Sequence, residues 1–316
     1  MRRNHLNFHP GLRHWAAGML LAAGFASATS MMAQQPGQKT FATPEDACSA
    51  LLAAAQSNDA HALLGLFGPR GKRIAASGDP VEDAARHEAF VRRYQEMHRL
   101  VPDPDGKTIL YIGAFNWPTP IPLARKGGAW YFDTEAGLRE ILYRRIGRNE
   151  ASAVRICQEL ASAQKEYYAS QGGEYAQSLF SAEGKHDGLY WKAAEGEPLS
   201  PIGPLVAAAV THGYLNSLKG GPAPYRGYFF RILTRQGPHA PGGARDFIVD
   251  GRMTRGFAFV AFPARYRSTG VMTFIVGPDG GVEQKDLGRR TRALAGAMKV
   301  YDPGPGWQPA DLGETP

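Results

Sequence analysis

Residues 151–169, ASAVRICQELASAQKEYYA, decide the fold expected for the second half of the chain. Apolar side chains recur in this stretch at the spacing of an α-helix, and the pair Gly172-Gly173 ends the pattern. A helix with one apolar face needs another layer of structure to cover it. The apolar positions are Val154, Cys157, Leu160, Ala161 and Tyr168.

Three strand patterns after this helix supply that layer, because each is rich in β-branched and aromatic residues. Turn residues such as Asp250-Gly251 and the run 278–281 lie between them. We therefore predict an antiparallel meander packed on the long helix. The strand patterns are residues 225–233, 255–262 and 271–276, and further short helices are predicted at residues 205–209 and 291–298.

Helices also open the first half of the chain. Thr43-Pro44-Glu45-Asp46 combines an N-cap residue, a proline at the first helical position and acids in the first turn. Further helical patterns cover residues 61–67 and the segment after the loop 77–80. Helices followed by strands predict an α+β domain. The strand patterns are residues 108–112, 121–124 and 129–132, with a hairpin-like turn at 125–128.

A junction is predicted in the middle of the chain. Residues 134–148 are helical in pattern, and the basic run 144–150, RRIGRNE, has the glycine and the charge of a connection between elements. We therefore predict two α+β domains, residues 43–148 and 149–301, with separate helices on the two sides of the junction. A loose Pro- and Gly-rich tail, residues 302–316, is expected to follow.

Each predicted domain resembles a known type of fold. The first, with helices before a curled sheet that ends in the aromatic strand 130–133, is similar to the cone-shaped cystatin or nuclear-transport-factor type. The second is similar to the globular part of a type IV pilin. The helix at 151–169 departs from the pilin pattern because it contains four charged residues, so this likeness concerns the fold and not filament assembly. They are Arg155, Glu159, Lys165 and Glu166.

Residues 1–33 have the three-part layout of a secretory signal peptide: a basic start, an apolar run at 15–28 and small residues at its end. Cleavage is expected after Ala33, with Ala28 as the alternative, so the processed protein begins near Gln34. No later stretch is long and apolar enough to span a bilayer. We expect an exported protein of the periplasm or extracellular space, without stable membrane insertion after cleavage.

The net charge of the chain restricts the classes of partner that we expect. Processing would remove three arginines and leave 33 basic against 29 acidic residues, a formal charge of +4 in place of +7. Because the sequence has no dense Lys/Arg tract, we expect no nucleic-acid partner.

Cys48 and Cys157, the two cysteines, occupy apolar helix positions in different predicted domains, so we expect two buried, unpaired thiols.

Several longer motifs together resemble a family of exported bacterial proteins that is defined by a domain of unknown function. The likeness covers nearly all of the predicted processed chain and supports export, but it carries no activity. The motifs are RRIGRNE at 144–150, GKHDGLYW at 184–191, SPIGPLV at 200–206, YFFRIL at 228–233 and QKDLG at 284–288.

Motifs with catalytic spacing are weak throughout the chain. Ser162-x-x-Lys165 has the spacing of penicillin-recognising enzymes, but the partial echoes of their other motifs, at 214–216 and 219–221, lie too close together. The histidines are scattered without metal-ligand spacing, and Gly65 to Arg73 fails the phosphate-loop pattern. We therefore predict no catalytic residues, no metal and no cofactor.

The most function-like segment is the predicted loop at 185–191, where titratable side chains stand beside two large aromatic residues. Such a combination suits a sugar, peptide or protein surface, although the aromatic residues are also typical core anchors. We predict a non-catalytic binding or assembly role, with an envelope protein or wall polymer as partner. The alternative is an envelope hydrolase that uses His186 and Asp187. The candidate binding residues are Lys185, His186, Asp187, Tyr190 and Trp191.

Overall fold

A computed structural model describes residues 34–76, 79–193, 196–202 and 224–310. Three predictions lie wholly or partly outside these residues: the signal peptide at 1–33, the short helix at 205–209 and the end of the tail at 311–316. Within the described residues, both helices and antiparallel sheets are present, which confirms the α+β class.

The first half opens with helices whose ends follow the predicted capping signals. The side chain of Thr43 accepts a hydrogen bond from Asp46 N at 3.1 Å, and the side chain of Asp79 accepts hydrogen bonds from two amides of the next turn. A short 3₁₀ turn, Pro69–Gly71, follows the second helix. The helices are α1 (Pro44–Gln56), α2 (Ala60–Phe67), α3 (Lys72–Ala75) and α4 (Pro80–Glu96).

An antiparallel sheet then covers these helices. Its strands are β1 (His98–Pro102), β2 (Thr108–Ile112), β3 (Trp117–Pro118), β4 (Leu123–Lys126) and β5 (Ala129–Phe132). Thr108, Leu110 and Ile112 are buried while the residues between them are half-exposed, so one face of β2 points into the core. Strand β1 was missed by the sequence analysis, because the polar His98-Arg99 pair at its start masks the alternation.

One continuous helix, α5 (Thr134–Ser170), replaces the two helices predicted around residues 144–150. The predicted break is therefore wrong. A single glycine, Gly147, costs a helix about 1 kcal/mol, which is too little to stop it when no proline is present and the neighbours are good helix formers. Arg144 also pairs with Glu140 one turn earlier, at 2.7 Å. At 1.5 Å per residue the 37-residue helix is about 55 Å long.

The buried apolar residues form two clusters, one on each side of the middle of α5. The first spans Ala47 to Phe132 and the second spans Ala153 to Tyr301. The C-terminal half of α5 contacts the sheet of the second cluster. The division into two domains at residue 148 stays a prediction.

The second cluster is built on the predicted meander, which the structure confirms. Its five strands pair antiparallel in the order β6-β11-β12-β13-β15. All six residues of β11 are buried, and both α5 and the short helix α6 (Thr291–Ala297) contact this strand. The strands are β6 (Tyr228–Leu233), β11 (Ala258–Pro263), β12 (Thr273–Val276), β13 (Val282–Lys285) and β15 (Gln308–Pro309).

Short strands at the border of this sheet were not predicted, because two residues are too few to show a period. They pair as β7 with β8 and β14, and as β9 with β10. Their bounds are β7 (Arg235–Gln236), β8 (Arg245–Asp246), β9 (Ile248–Val249), β10 (Arg252–Met253) and β14 (Val300–Tyr301).

The tail was predicted to be loose, which is wrong for residues 302–310. Gln308 and Pro309 pair with β13, and Ala310 N donates a hydrogen bond to the carbonyl of Val282 at 2.8 Å. Asp302 accepts a hydrogen bond from His239 N at 2.9 Å, and Trp307 packs against the second cluster. The open edge of β13 and one tryptophan fix a segment whose composition alone suggests disorder.

Both cysteines are buried and unpaired, as predicted. Cys48 belongs to the first cluster and Cys157 to the second. Burial, with a smaller contribution from Glu45, raises the pKa of the Cys48 thiol to about 12, and burial raises the pKa of Cys157 as well. None of the described helices is both long and apolar enough to cross a membrane.

Candidate functional site

The core of the first half contains a cavity of about 380 Å³ between α4, the other helices and the sheet. This size falls within the range of small-molecule pockets. Most of its wall is aliphatic or aromatic. The lining residues are Leu51, Ala55, Leu63, Phe67, Ile74, Arg86, His87, Ala89, Phe90, Arg93, Ile112, Trp117, Thr119, Pro120, Ile121 and Phe132.

Helix α4 supplies the side of the cavity that carries polar groups. Arg86, Phe90 and Arg93 follow one another at i, i+4 and i+7, so they share a face of the helix. Ala89 lies between them and leaves room where a larger side chain would fill the cavity. The same face of α4 therefore combines an aromatic wall with two cations.

The three basic residues of the cavity lining differ in their charged and polar neighbours. Arg86 forms an ion pair with Asp83 three residues earlier. His87 Nδ1 contacts Asn58 Oδ1, and burial is the main reason that its pKa lies below the usual 6.5. The neighbouring Arg86 lowers this pKa further, while Asp83 acts in the opposite direction. Burial thus favours the neutral form of His87.

Arg93 differs from both, because within the described part of the chain no carboxylate forms an ion pair with its guanidinium. It lines the cavity and also a second, adjoining groove of about 360 Å³. Ile112 and Trp117 are shared by the cavity and the groove in the same way. An unneutralised cation thus lies where the apolar cavity opens toward the groove.

The residues predicted as a binding site form a compact loop in the second half of the chain. The His186 ring stacks on Trp191 with centroids 4.4 Å apart, and Trp191, 7% exposed, donates its Nε1–H to the carbonyl of Pro198 at 2.9 Å. Asp187 accepts a hydrogen bond from Ala182 N at 2.8 Å. Tyr190 packs edge-on against Phe180. These contacts hold the loop together.

Only part of this predicted set faces solvent. Lys185, His186 and Asp187 are exposed, whereas Tyr190 is half-buried and Trp191 is buried. The structure brings the five residues into one loop but turns the larger aromatic ring inward. Their binding role stays a prediction.

The other candidates considered from sequence give no site. Ser162 and Lys165 both lie on the exposed surface of α5. The residues that resemble the other two motifs of penicillin-recognising enzymes, 214–216 and 219–221, fall outside the described residues. Among the described residues, no group of three His, Cys, Asp or Glu side chains is placed to hold a metal ion.

The cavity was missed by the sequence analysis. A usable signal was nevertheless present, since Arg86 and Arg93 stand on the same face of the helix as Phe90, a residue assigned to its apolar side. Both arginines are exposed, so they lie at the edge of this apolar face, where cations border the cavity. Only the packing of α4 against β1 and β2 in the folded protein shows that a cavity lies there.

Comparison with known proteins identifies the family of this chain but no matching curated protein or solved structure. No curated protein and no solved structure matches the chain, so the likenesses to cystatin, nuclear-transport-factor and pilin folds stay predictions. One family, described as "Protein of unknown function (DUF2950)", matches residues 38–310 and thus includes the cavity, the loop at 185–191 and both buried clusters. The chain belongs to this family of proteins of unknown function.

Proposed function

We propose that this is an exported, non-catalytic binding protein that holds an amphipathic anion, with its apolar part in the cavity and its anionic group at Arg93. The observation that carries this proposal is Arg93, which lines a mainly apolar cavity and has no carboxylate ion-pair partner among the described residues. The signal-peptide pattern of residues 1–33 supports export to the periplasm or beyond.

The apolar part of the ligand is favoured by the character of the wall. Leu51, Leu63, Phe67, Phe90 and Phe132 all line the cavity. Each methylene group that leaves water for such surroundings contributes about 0.8 kcal/mol. A short acyl chain therefore gains several kcal/mol without any directional contact, which suits a binding site that selects by shape and polarity.

The anionic group is favoured by the charge at the mouth. A guanidinium forms two parallel hydrogen bonds with a carboxylate or phosphate, and the exposed Arg93 is accessible to such a group. Arg86 is occupied by Asp83, so Arg93 is the cation available to the ligand. An approaching anion would also favour protonation of His87, which lines the same cavity.

Binding is favoured over hydrolysis by the composition of the lining. The described residues of the wall include no Ser, Cys, Asp, Glu or Lys side chain, and His87 contacts Asn58 rather than Thr119, the hydroxyl of the lining. The loop at 185–191 remains our proposal for a second contact, with an envelope protein or wall polymer. The double substitution of His186 and Asp187 by Ala would then weaken capture of that partner, and normal capture would remove the assignment.

The test of the cavity uses dodecanoate, with dodecanol as its uncharged counterpart, in calorimetric titrations of the purified protein. Ala89→Trp is expected to abolish binding of both probes, because the indole would occupy the cavity. Ala85→Trp is the matched control, since Ala85 is exposed on the same helix and is absent from the lining.

Arg93→Gln tests the anionic site separately. We expect it to weaken dodecanoate about tenfold, equivalent to about 1.4 kcal/mol, and to leave dodecanol unchanged. Arg92→Gln is its control, because Arg92 does not line the cavity. If dodecanoate binds the Ala89→Trp variant as well as it binds the wild type, the proposal is wrong.

A further inference from the structure

We infer that the turn at 113–116 docks the protein on the surface of an anionic phospholipid bilayer. The inference rests on the proposed function in one respect: the bilayer would be the source of the amphipathic anion. It concerns reversible surface docking and requires no membrane-spanning segment.

An exposed aromatic pair marks this turn. Phe115 is 96% exposed at the tip between β2 and β3, and Trp117, at the start of β3, is 42% exposed. A single exposed apolar residue is ordinary on a protein surface. Two large aromatic residues at one tip, beside an apolar cavity, form a more specific feature, because aromatic side chains favour the interface between water and lipid.

The turn is held rigidly in this outward position. Gly113 N donates hydrogen bonds to the carbonyls of Arg93 and Met97, at 3.0 and 2.9 Å, which ties the turn to the end of α4. Asn116 N donates to the carbonyl of Gly113 at 2.9 Å. Gly113 and Asn116 both have positive φ, 76° and 52°, a region that glycine and asparagine tolerate best. Phe115 is thus presented to solvent in advance of any partner.

Arginines surround the aromatic tip. Arg92 and Arg93 line the groove that Phe115 also lines. Arg99 Nε donates a hydrogen bond to Asn116 Oδ1 at 2.8 Å. Arg144 lies with its guanidinium carbon 5.5 Å from the centre of the Trp117 ring. Four arginines from α4, β1 and α5 therefore lie around one turn.

The local charge remains positive after the neighbouring acids are counted. Glu96 lines the same groove, and Glu140 pairs with Arg144 at 2.7 Å. Four arginines and two glutamates leave a net charge of +2 around the turn. Anionic headgroups complement this charge, while the two aromatic residues need an apolar environment that water-soluble anions lack. A bilayer surface offers both.

The position of the turn relative to the cavity relates membrane docking to ligand binding. The groove beneath Phe115 and the apolar cavity share Arg93, Ile112 and Trp117. A protein docked through Phe115 would face the bilayer with the side on which the cavity adjoins the groove. The apolar part of a membrane ligand would then enter the cavity with little exposure to water.

The experiment is co-sedimentation of the purified protein with vesicles of phosphatidylcholine alone or with 30 mol% phosphatidylglycerol, a fraction of about one anionic lipid in three. We expect binding only to the anionic vesicles, and a decline as salt rises. Phe115→Ala is expected to lower the partition coefficient about tenfold or more, because the side chain loses its transfer into the interface. Leu199→Ala is the matched control, since Leu199 is another highly exposed apolar residue, remote in sequence from the turn.

The charge is tested by the double variant Arg92→Gln, Arg99→Gln, which should also bind anionic vesicles at least about tenfold more weakly. Phe115→Ala should bind soluble dodecanoate normally, and Ala89→Trp should bind vesicles normally. If the wild type binds anionic vesicles but does not bind dodecanoate, the cavity proposal alone is wrong. Equal binding to neutral vesicles, or undiminished binding by Phe115→Ala, would overturn the docking inference.

Discussion

The two halves of the chain use the same components, helices on an antiparallel sheet, and reach different interiors. In the second half every residue of β11 is buried, with α5 and α6 both in contact with the strand. In the first half β1 is largely exposed and the core contains a cavity that is open to solvent. A core closed on both faces of its sheet is filled, whereas a core covered on one face leaves space that small side chains such as Ala89 do not fill.

The strongest test of this contrast is a pair of matched truncations. Phe259→Ala removes a fully buried ring from β11 and should lower the free energy of unfolding by about 4 kcal/mol, because a cavity is created in a dense core. Phe90→Ala removes a half-buried ring from the existing cavity wall and should cost less than about 2 kcal/mol. Urea denaturation of both variants measures the difference, and equal losses would show that the two cores are packed alike.

A smaller effect is expected where α5 is fixed to the second sheet. Glu150 accepts hydrogen bonds from Val271 N at 2.7 Å and Met272 N at 3.0 Å, so Glu150→Ala leaves two backbone amides without a charged acceptor. We expect a loss of about 2 kcal/mol in the free energy of unfolding. Glu159→Ala, at an exposed position of the same helix, should cost less than about 0.5 kcal/mol. Similar losses for both variants would mean that this contact contributes little.

The smallest effect is a pH dependence confined to the first half. Burial holds the pKa of His87 below its usual 6.5, so as pH falls below 6.5 the unfolded chain takes up a proton that the folded chain resists. The contribution is fully present above pH 6.5 and is lost as pH falls toward the lowered pKa. Melting temperatures between pH 7.5 and 5, a range of about 2.5 units around the usual value, should fall less for His87→Gln than for the wild type.

The exposed His61 provides the control for this measurement. His61→Gln should retain the wild-type pH dependence, because His61 lies outside the cavity lining and its substitution leaves His87 in place. A His87→Gln variant with an unchanged pH profile would contradict the assignment of the effect to the cavity wall.

Local structure followed from the sequence wherever a strong short-range signal was present. Thr43 and Pro44 predicted the start of α1, and β2 and β5 were predicted with the bounds that the structure has. The meander was also predicted, since long alternating or apolar strands separated by turns have few other arrangements. The continuity of α5 was missed because Gly147 and the charges around it resemble a boundary when tertiary support is ignored.

The candidate site was less predictable than the fold. The composition of residues 185–191 predicted a binding loop. The stacking of His186 on Trp191, in contrast, depends on a reversal of the chain that no local sequence pattern predicts. The cavity lining comes from α1 to α4, from three strands and from the loop before β4. No spacing within the sequence relates such distant residues to one another.

The sequence by itself determined the starts of α1 and α4, the strands of the meander, the buried state of both cysteines and the expectation of export. These depend on period, capping and composition, which act over a few residues. Only the tertiary structure decided that the first core contains an open cavity, that Arg93 lines it without a carboxylate partner among the described residues, and that four arginines lie around the turn of Phe115. Packing and electrostatics join residues by distance in space, and that distance is fixed only when the chain has folded.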